Sequence, residues 1–111
     1  MLRKEWRICR GKEYSGIYKT GRRFTGQYMI VFLKENQLTR NRFGIVTSKK
    51  IGNAVIRNRA KRQIRAVIRK NLNALPQSYD MVVVARFNIK AKVFDLIEKD
   101  FLRVIRKASS K

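Results

Sequence analysis

The residues best equipped for chemistry lie between Ser48 and Arg69, in the run SKKIGNAVIRNRAKRQIRAVIR. At 100° per residue, Ile56, Ala60, Ile64, Val67 and Ile68 share one face of a helix, while Asn58, Arg59, Lys61, Arg62, Arg65, Arg69 and Lys70 spread over the remaining arc. No Asp or Glu occurs between Glu35 and Asp80, so nothing local neutralises that arc, and its i,i+3 and i,i+4 neighbours mostly repel one another. Basic faces that serve only solubility usually carry interspersed acids. Arginine also outnumbers lysine here, and its planar fork binds phosphate bidentately and stacks on bases. The chemistry on offer is the binding of a polyanion, with nucleic acid favoured over a merely solvated face.

Other chemistries lack their groups. There is no histidine, no CxxC pair, no paired-carboxylate motif and no Walker-type loop. The seven acids, Glu5, Glu13, Glu35, Asp80, Asp95, Glu98 and Asp100, are scattered. Asp95 and Glu98 are i,i+3 neighbours that could recruit a metal, although a solvated helix face accounts for them as well. Catalysis by this chain alone is not expected.

The elements that must position the basic run follow from periodicity and breakers. Gly52 suits a tight turn and Asn53 an N-cap, which predicts a helix from about Ala54 to Leu72. Before it, Lys12 to Lys19 reads as a short helix closed by Gly21, with Tyr14 and Tyr18 four apart. Arg22 to Leu33 turns into a strand with Tyr28, Ile30 and Phe32 on one face and Met29, Val31 and Leu33 on the other. Both faces are apolar, so one packs on helices and the other is covered or offered to a ligand. Arg42 to Thr47 reads as the return strand of a hairpin. After the basic helix and a segment with Pro76, Asp80 to Arg86 is a buried-type strand, parallel to the strand before the helix. Asn88 to Lys92 is a basic loop. Val93, Ile97, Phe101, Val104 and Ile105 then trace the apolar stripe of a closing helix.

The chain has 111 residues, 44% of them apolar, and one proline, which suits a single folded domain over 1–111 with a basic N-terminal arm over about 1–10. In that arm Trp6 and Ile8 are expected to dock on the domain. Twenty-eight Lys and Arg against seven acids give a net charge of +21, which makes the compact state self-repelling and salt-sensitive. No apolar run approaches the roughly 20 residues needed to span a bilayer, and no signal-type segment is evident, so a cytoplasmic location and no membrane partner are expected. The single Cys9 fits a reducing compartment.

At KKIGNAVIRNRAKRQIR the sequence closely resembles the protein subunit of bacterial ribonuclease P, a family marked by a lysine-rich turn, Gly-Asn-Ala and an Arg-Asn-Arg motif continuing with Lys-Arg. Lys49, Lys50, Gly52, Asn53, Arg57, Asn58, Arg59, Lys61, Arg62 and Arg65 supply every element. The flanks agree: Tyr14, Tyr18 and Gly21, a GIVTSKK approach, the strand end Val84, Ala85, Arg86, and a basic C-terminal helix. The resemblance implies an α+β fold, an α-β-β-β-α-β-α two-layer sandwich with a left-handed βαβ crossover, an unusual hand. Its third early strand falls at Arg22 to Thr25 or in the Leu38 to Arg42 region.

It further implies an accessory subunit of an RNA enzyme that removes the 5′ leader of precursor tRNA, with Mg2+ bound mainly by the RNA and none assigned to the protein. The implied partners are the catalytic RNA and the precursor's 5′ leader, with no obligate protein partner. Lys49, Lys50, Asn53, Arg57, Asn58, Arg59, Lys61, Arg62, Arg65 and Arg69 would contact the RNA subunit, although Arg57, at the edge of the apolar arc, could instead bridge to the sheet. Tyr14, Tyr18, Tyr28 and Phe32 would line a leader cleft. The competing readings are a ribosomal or other structural RNA-binding protein and, less well supported, a DNA-binding module.

Overall fold

The computed structural model describes residues 11–38, 40–75, 78–90 and 92–109. The N-terminal arm, with the expected docking of Trp6 and Ile8, lies outside them. The elements run α1 (Gly11–Thr20), β1 (Arg22–Thr25), β2 (Met29–Glu35), β3 (Arg42–Val46), α2 (Ala54–Lys70), β4 (Tyr79–Ala85) and α3 (Phe94–Ser109), with short 3-10 turns at Leu72–Ala74 and Phe87–Ile89. The order is the α-β-β-β-α-β-α of the resemblance, and Arg22–Thr25 is the third early strand.

The four strands form one sheet in the order β1-β2-β4-β3. β1 and β2 are the true hairpin, antiparallel with Thr25 opposite Ile30. The expected hairpin between β2 and Arg42–Thr47 does not form: β4 lies between them, antiparallel to β2 and parallel to β3. The reason is burial. In β4 the run Met81, Val82, Val83 is inaccessible on both faces, and such a strand is most stable in the centre of a sheet. β3, with half-buried Arg42 and Ile45, takes the edge.

α2 and α3 cover one face of the sheet. Met29, Val31 and Leu33 of β2 and Met81, Val83 and Ala85 of β4 point into this layer, where they meet Ala60, Ile64, Val67 and Ile68 of α2 and Ile97, Phe101, Val104 and Ile105 of α3. The stripe expected on α3 begins one residue late, because Val93 precedes the helix and is 57% exposed. Asn71 and Lys70 at the end of α2 donate to Glu98 of α3, at 2.9 and 3.2 Å, joining the two helices. Glu98 is thereby committed to this junction.

Two buried carboxylates hold the strand ends. Asp100 of α3, 1% exposed, accepts the backbone N–H groups of Gln27 and Tyr28, both at 2.8 Å, and so clamps the β1–β2 turn beneath α3. Asp80 takes a forked pair from Arg42, 2.9 Å from Nε and 2.8 Å from Nη2, and a 2.9 Å bond from Asn36. That cluster fastens β3 to β4 and to the segment leaving β2.

Candidate nucleic-acid interface

On the opposite face of the sheet α1 covers only one end. Ile17 is buried against Val82, with Tyr14, Phe32, Val46 and Val84 packed around them. Gly44 is what lets the helix approach, since a methyl group there would stand 2.8 Å from ring carbons of Tyr14. The sheet register places Arg23, Phe32, Val82 and Gly44 in one row across this face. The next row holds Ile30, Val84 and Val46, all half-buried and the continuation of the floor away from α1.

Aromatic rings line the boundary between helix and floor. Tyr18 meets Phe32 edge-on with centroids 4.9 Å apart, and Tyr14 lies 6.5 Å from Tyr18. Tyr18 is 41% exposed, which leaves part of its ring for a ligand. Partial burial raises its phenol above the ordinary 10.0, so the hydroxyl stays protonated and able to donate. This is a shallow apolar cleft with an aromatic edge and a cation, Arg23, at one side.

Tyr28 is not in this cleft. It is buried in the layer under α2 and α3, with Lys92 Nζ 5.8 Å from its ring centroid. The even-numbered alternation expected from the sequence breaks here because the turn held by Asp100 comes before β2 begins, with Gly26 N–H donating to Met29 O at 2.7 Å. The sequence carried no local sign of a grip by a residue 72 positions away. Ile30, Val46, Val84 and Arg23, which sequence reasoning did not assign to the cleft, have a signal in hindsight. In β2 and β4 both faces are apolar, and one helix of ten residues cannot cover the second face.

The second part of the interface is α2 and the turn before it. Ile51 is buried and its N–H donates to Ser48 O at 3.1 Å, which fixes a turn presenting Lys49 and Lys50 to solvent. Gly52 has φ +153°, a conformation that L side chains rarely adopt. Asn53 caps the helix, accepting from Ile56 N–H at 3.1 Å. Asn58, Arg59, Arg62 and Arg69 are exposed, whereas Arg57, Lys61 and Arg65 are half-buried.

Among the described residues none of Lys49, Lys50, Arg57, Arg59, Lys61, Arg62, Arg65 and Arg69 forms an ion pair; the pairs are Arg42–Asp80, Lys70–Glu98 and Arg103–Asp100. Arg57 shows neither a bridge to the sheet nor another partner for its Nε, which is buried with no acceptor among the described residues. No three of His, Cys, Asp and Glu come together among those residues, and the carboxylates of Asp80, Glu98 and Asp100 are engaged by protein donors. Nor is any described helix long and apolar enough to cross a membrane.

Comparison with known proteins agrees with this arrangement. Residues 2–109 match the family model described as Ribonuclease P. The ribonuclease P protein component of Syntrophomonas wolfei is 44% identical over 108 residues, which cover 97% of this chain and 91% of that protein. That of Streptococcus pneumoniae serotype 4 is 37% identical, covering 95% and 85%. Among solved structures, a Staphylococcus aureus RNase P protein mutant described as defective in mRNA degradation superposes with a TM-score of 0.88 at 31% identity, covering 96% of this chain and 90% of that one. The Thermotoga maritima RNase P protein does so with 0.84 at 27%, covering 91% and 96%. A helix whose cations from Arg57 to Arg69 have no counter-charge among the described residues, the Gly-Asn-Ala and Arg-Asn-Arg run that builds it, and matches across nearly the whole chain lead to one assignment: the chain belongs to the ribonuclease P protein family.

Proposed function

We propose that the chain acts within a ribonucleoprotein by gripping two RNA surfaces at once. The chain is a protein component of ribonuclease P, the endoribonuclease of tRNA 5′ maturation. In this reading the turn at Lys49 and Lys50 and the exposed face of α2 bind phosphates of the catalytic RNA. The cleft edged by Tyr14, Tyr18 and Phe32 takes the single-stranded 5′ leader of precursor tRNA, stacking on its bases with little sequence preference. Arg23 at the cleft's side is placed to offset leader phosphate charge. Cleavage itself belongs to the RNA and the Mg2+ it holds, and the site of action is the cytoplasm.

The observation that carries the reading is the row of cations from Arg57 to Arg69 on α2, unpaired among the described residues, together with an apolar sheet face that the described elements cover only in part. Arginine forks without carboxylate partners are free for phosphate. An open floor with aromatic edges suits unstacked bases.

The test is cleavage of a 5′-extended precursor tRNA by a bacterial ribonuclease P RNA at low Mg2+, with and without the protein. The protein is expected to restore cleavage at the mature 5′ end and to show none by itself. If it binds the RNA without changing cleavage, it is a plain RNA-binding protein and the leader role is wrong.

A further inference from the structure

Beside the cationic arc of α2 lies a slot that the function above does not use. Its walls are Ile56, Ala60 and Gln63 of α2 and Ile89 of the turn after β4, with Arg59 and Lys90 at its rim, and its volume is about 150 Å³. An apolar cavity of that size holds one benzene-sized ring. Both rim cations are exposed and neither has an ion pair among the described residues, and no carboxylate lines the slot.

The slot is preformed. Gln63 Nε2 donates to Lys92 O at 3.2 Å, tying α2 to the segment beyond the turn. The turn is closed by Ile89 N–H to Arg86 O at 3.0 Å and Lys92 N–H to Ile89 O at 3.1 Å, and Asn88 fastens it to Gln27 O at 2.9 Å. The Ile89 side chain, 1% exposed, roots it in the core. A site held this firmly in the free protein costs little to order when a ligand enters.

We infer that this slot receives one unstacked nucleobase of the RNA that α2 binds, with Arg59 and Lys90 meeting the phosphates on either side of it. The inference rests on the RNA-binding reading of α2 and adds a base-level contact to it. A ring-sized apolar space flanked by two cations matches a nucleotide, which is a flat ring joined to an anionic backbone. Taking a base out of a duplex costs a few kcal/mol. The target is therefore a single-stranded junction or bulge, where that cost is absent. The side-chain oxygen of Gln63, whose nitrogen is committed to Lys92, offers an acceptor to an amino or imino group on the base edge.

The test compares binding of a bacterial ribonuclease P RNA by the full chain and by Ala60→Met, which fills the slot without changing charge, across a salt series. Filling the slot is expected to weaken binding roughly tenfold, the scale of one lost base contact, with the salt slope unchanged. Lys90→Ala is expected to make the slope shallower by about one unit. Chemical probing of the RNA bases should show one position protected by the wild-type chain and reactive again with Ala60→Met. Thermal melting checks that variant's fold, and if it melts early, Ala60→Val narrows the slot with a smaller side chain. Binding and base protection equal to wild type with the slot filled would overturn the inference and leave the phosphate role of α2 standing. No binding by the wild-type chain would overturn both.

Discussion

Replacing Tyr18 by alanine removes a ring that is 41% exposed and touches Phe32 edge-on, so the expected loss is in ligand binding more than in folding. With Tyr14→Ala added, affinity for leader-bearing precursor tRNA should fall by about tenfold or more, the scale of one or two stacked bases, while affinity for mature tRNA changes little. Equal losses on both RNAs would make the pair core residues only. Tyr28→Ala should do the reverse: its ring is buried in the main core, so stability should drop by about 3–5 kcal/mol in urea titration. Asp100→Ala leaves the buried N–H of Tyr28 without its acceptor, at about 1–3 kcal/mol, and frees the part-buried N–H of Gln27 as well. A loss no greater than that of exposed Asp95→Ala would contradict the clamp. These residues also mark how far the sequence could be read. Local spacing puts Tyr14 and Tyr18 on one helix face and Phe32 on an apolar strand face, and only the family resemblance assigns them to a cleft, whereas Tyr28 is turned under α3 by a contact from the far end of the chain.

Elements were legible where their signals are local. The basic helix follows from Asn53, Gly52 and a 3.6-residue apolar stripe, and its observed span, Ala54–Lys70, ends two residues short of the expected one. Strand order is a non-local property. Pairing consecutive strands is the common arrangement, but a strand apolar on both faces gains more from the centre of the sheet, and β4 displaces β3 from β2. The Asp80 cluster makes the resulting order dependent on pH. Burial of the Asp80 carboxyl raises its pKa, but the hydrogen bonds from Arg42 and Asn36 and the charges of Arg42 and Lys34 outweigh it and hold the group below 3.8. A depressed folded pKa adds stability above the unfolded value, and that stability is lost as pH falls through the folded one. The urea midpoint should therefore decline from about pH 4 downward. Asp80→Asn should be less stable at neutral pH and show a shallower acid decline. Parallel pH profiles for the two proteins would remove Asp80 from the linkage. Glu98 acts in the same direction, its pKa lowered first by the hydrogen bond from Asn71, with burial opposing and Lys70 assisting, so Glu98→Gln is the companion variant.

For the whole molecule, a net charge of +21 sets folding and binding against each other in their response to salt. Three of the seven acids, Asp80, Glu98 and Asp100, are committed to strand ends and to the α2–α3 junction, and no described acid pairs with Lys61 or the arginines of α2. Screening relieves repulsion among these cations, so the melting temperature of the free protein should rise with ionic strength. RNA affinity should fall over the same range, because each phosphate neutralised by a cation releases counterions and log K declines linearly with log salt. Arg59→Ala with Arg62→Ala separates the two effects. If each arginine neutralises one phosphate, the pair of changes should reduce the salt slope by roughly two units, while the free protein, relieved of two like charges at i,i+3, should melt no lower than wild type. A salt slope equal to wild type would mean that α2 is not the surface facing the RNA, whatever the affinity of the variant. A reduced slope with an unchanged melting temperature would locate the lost energy in the interface, where α2 carries charge that the fold itself does not use.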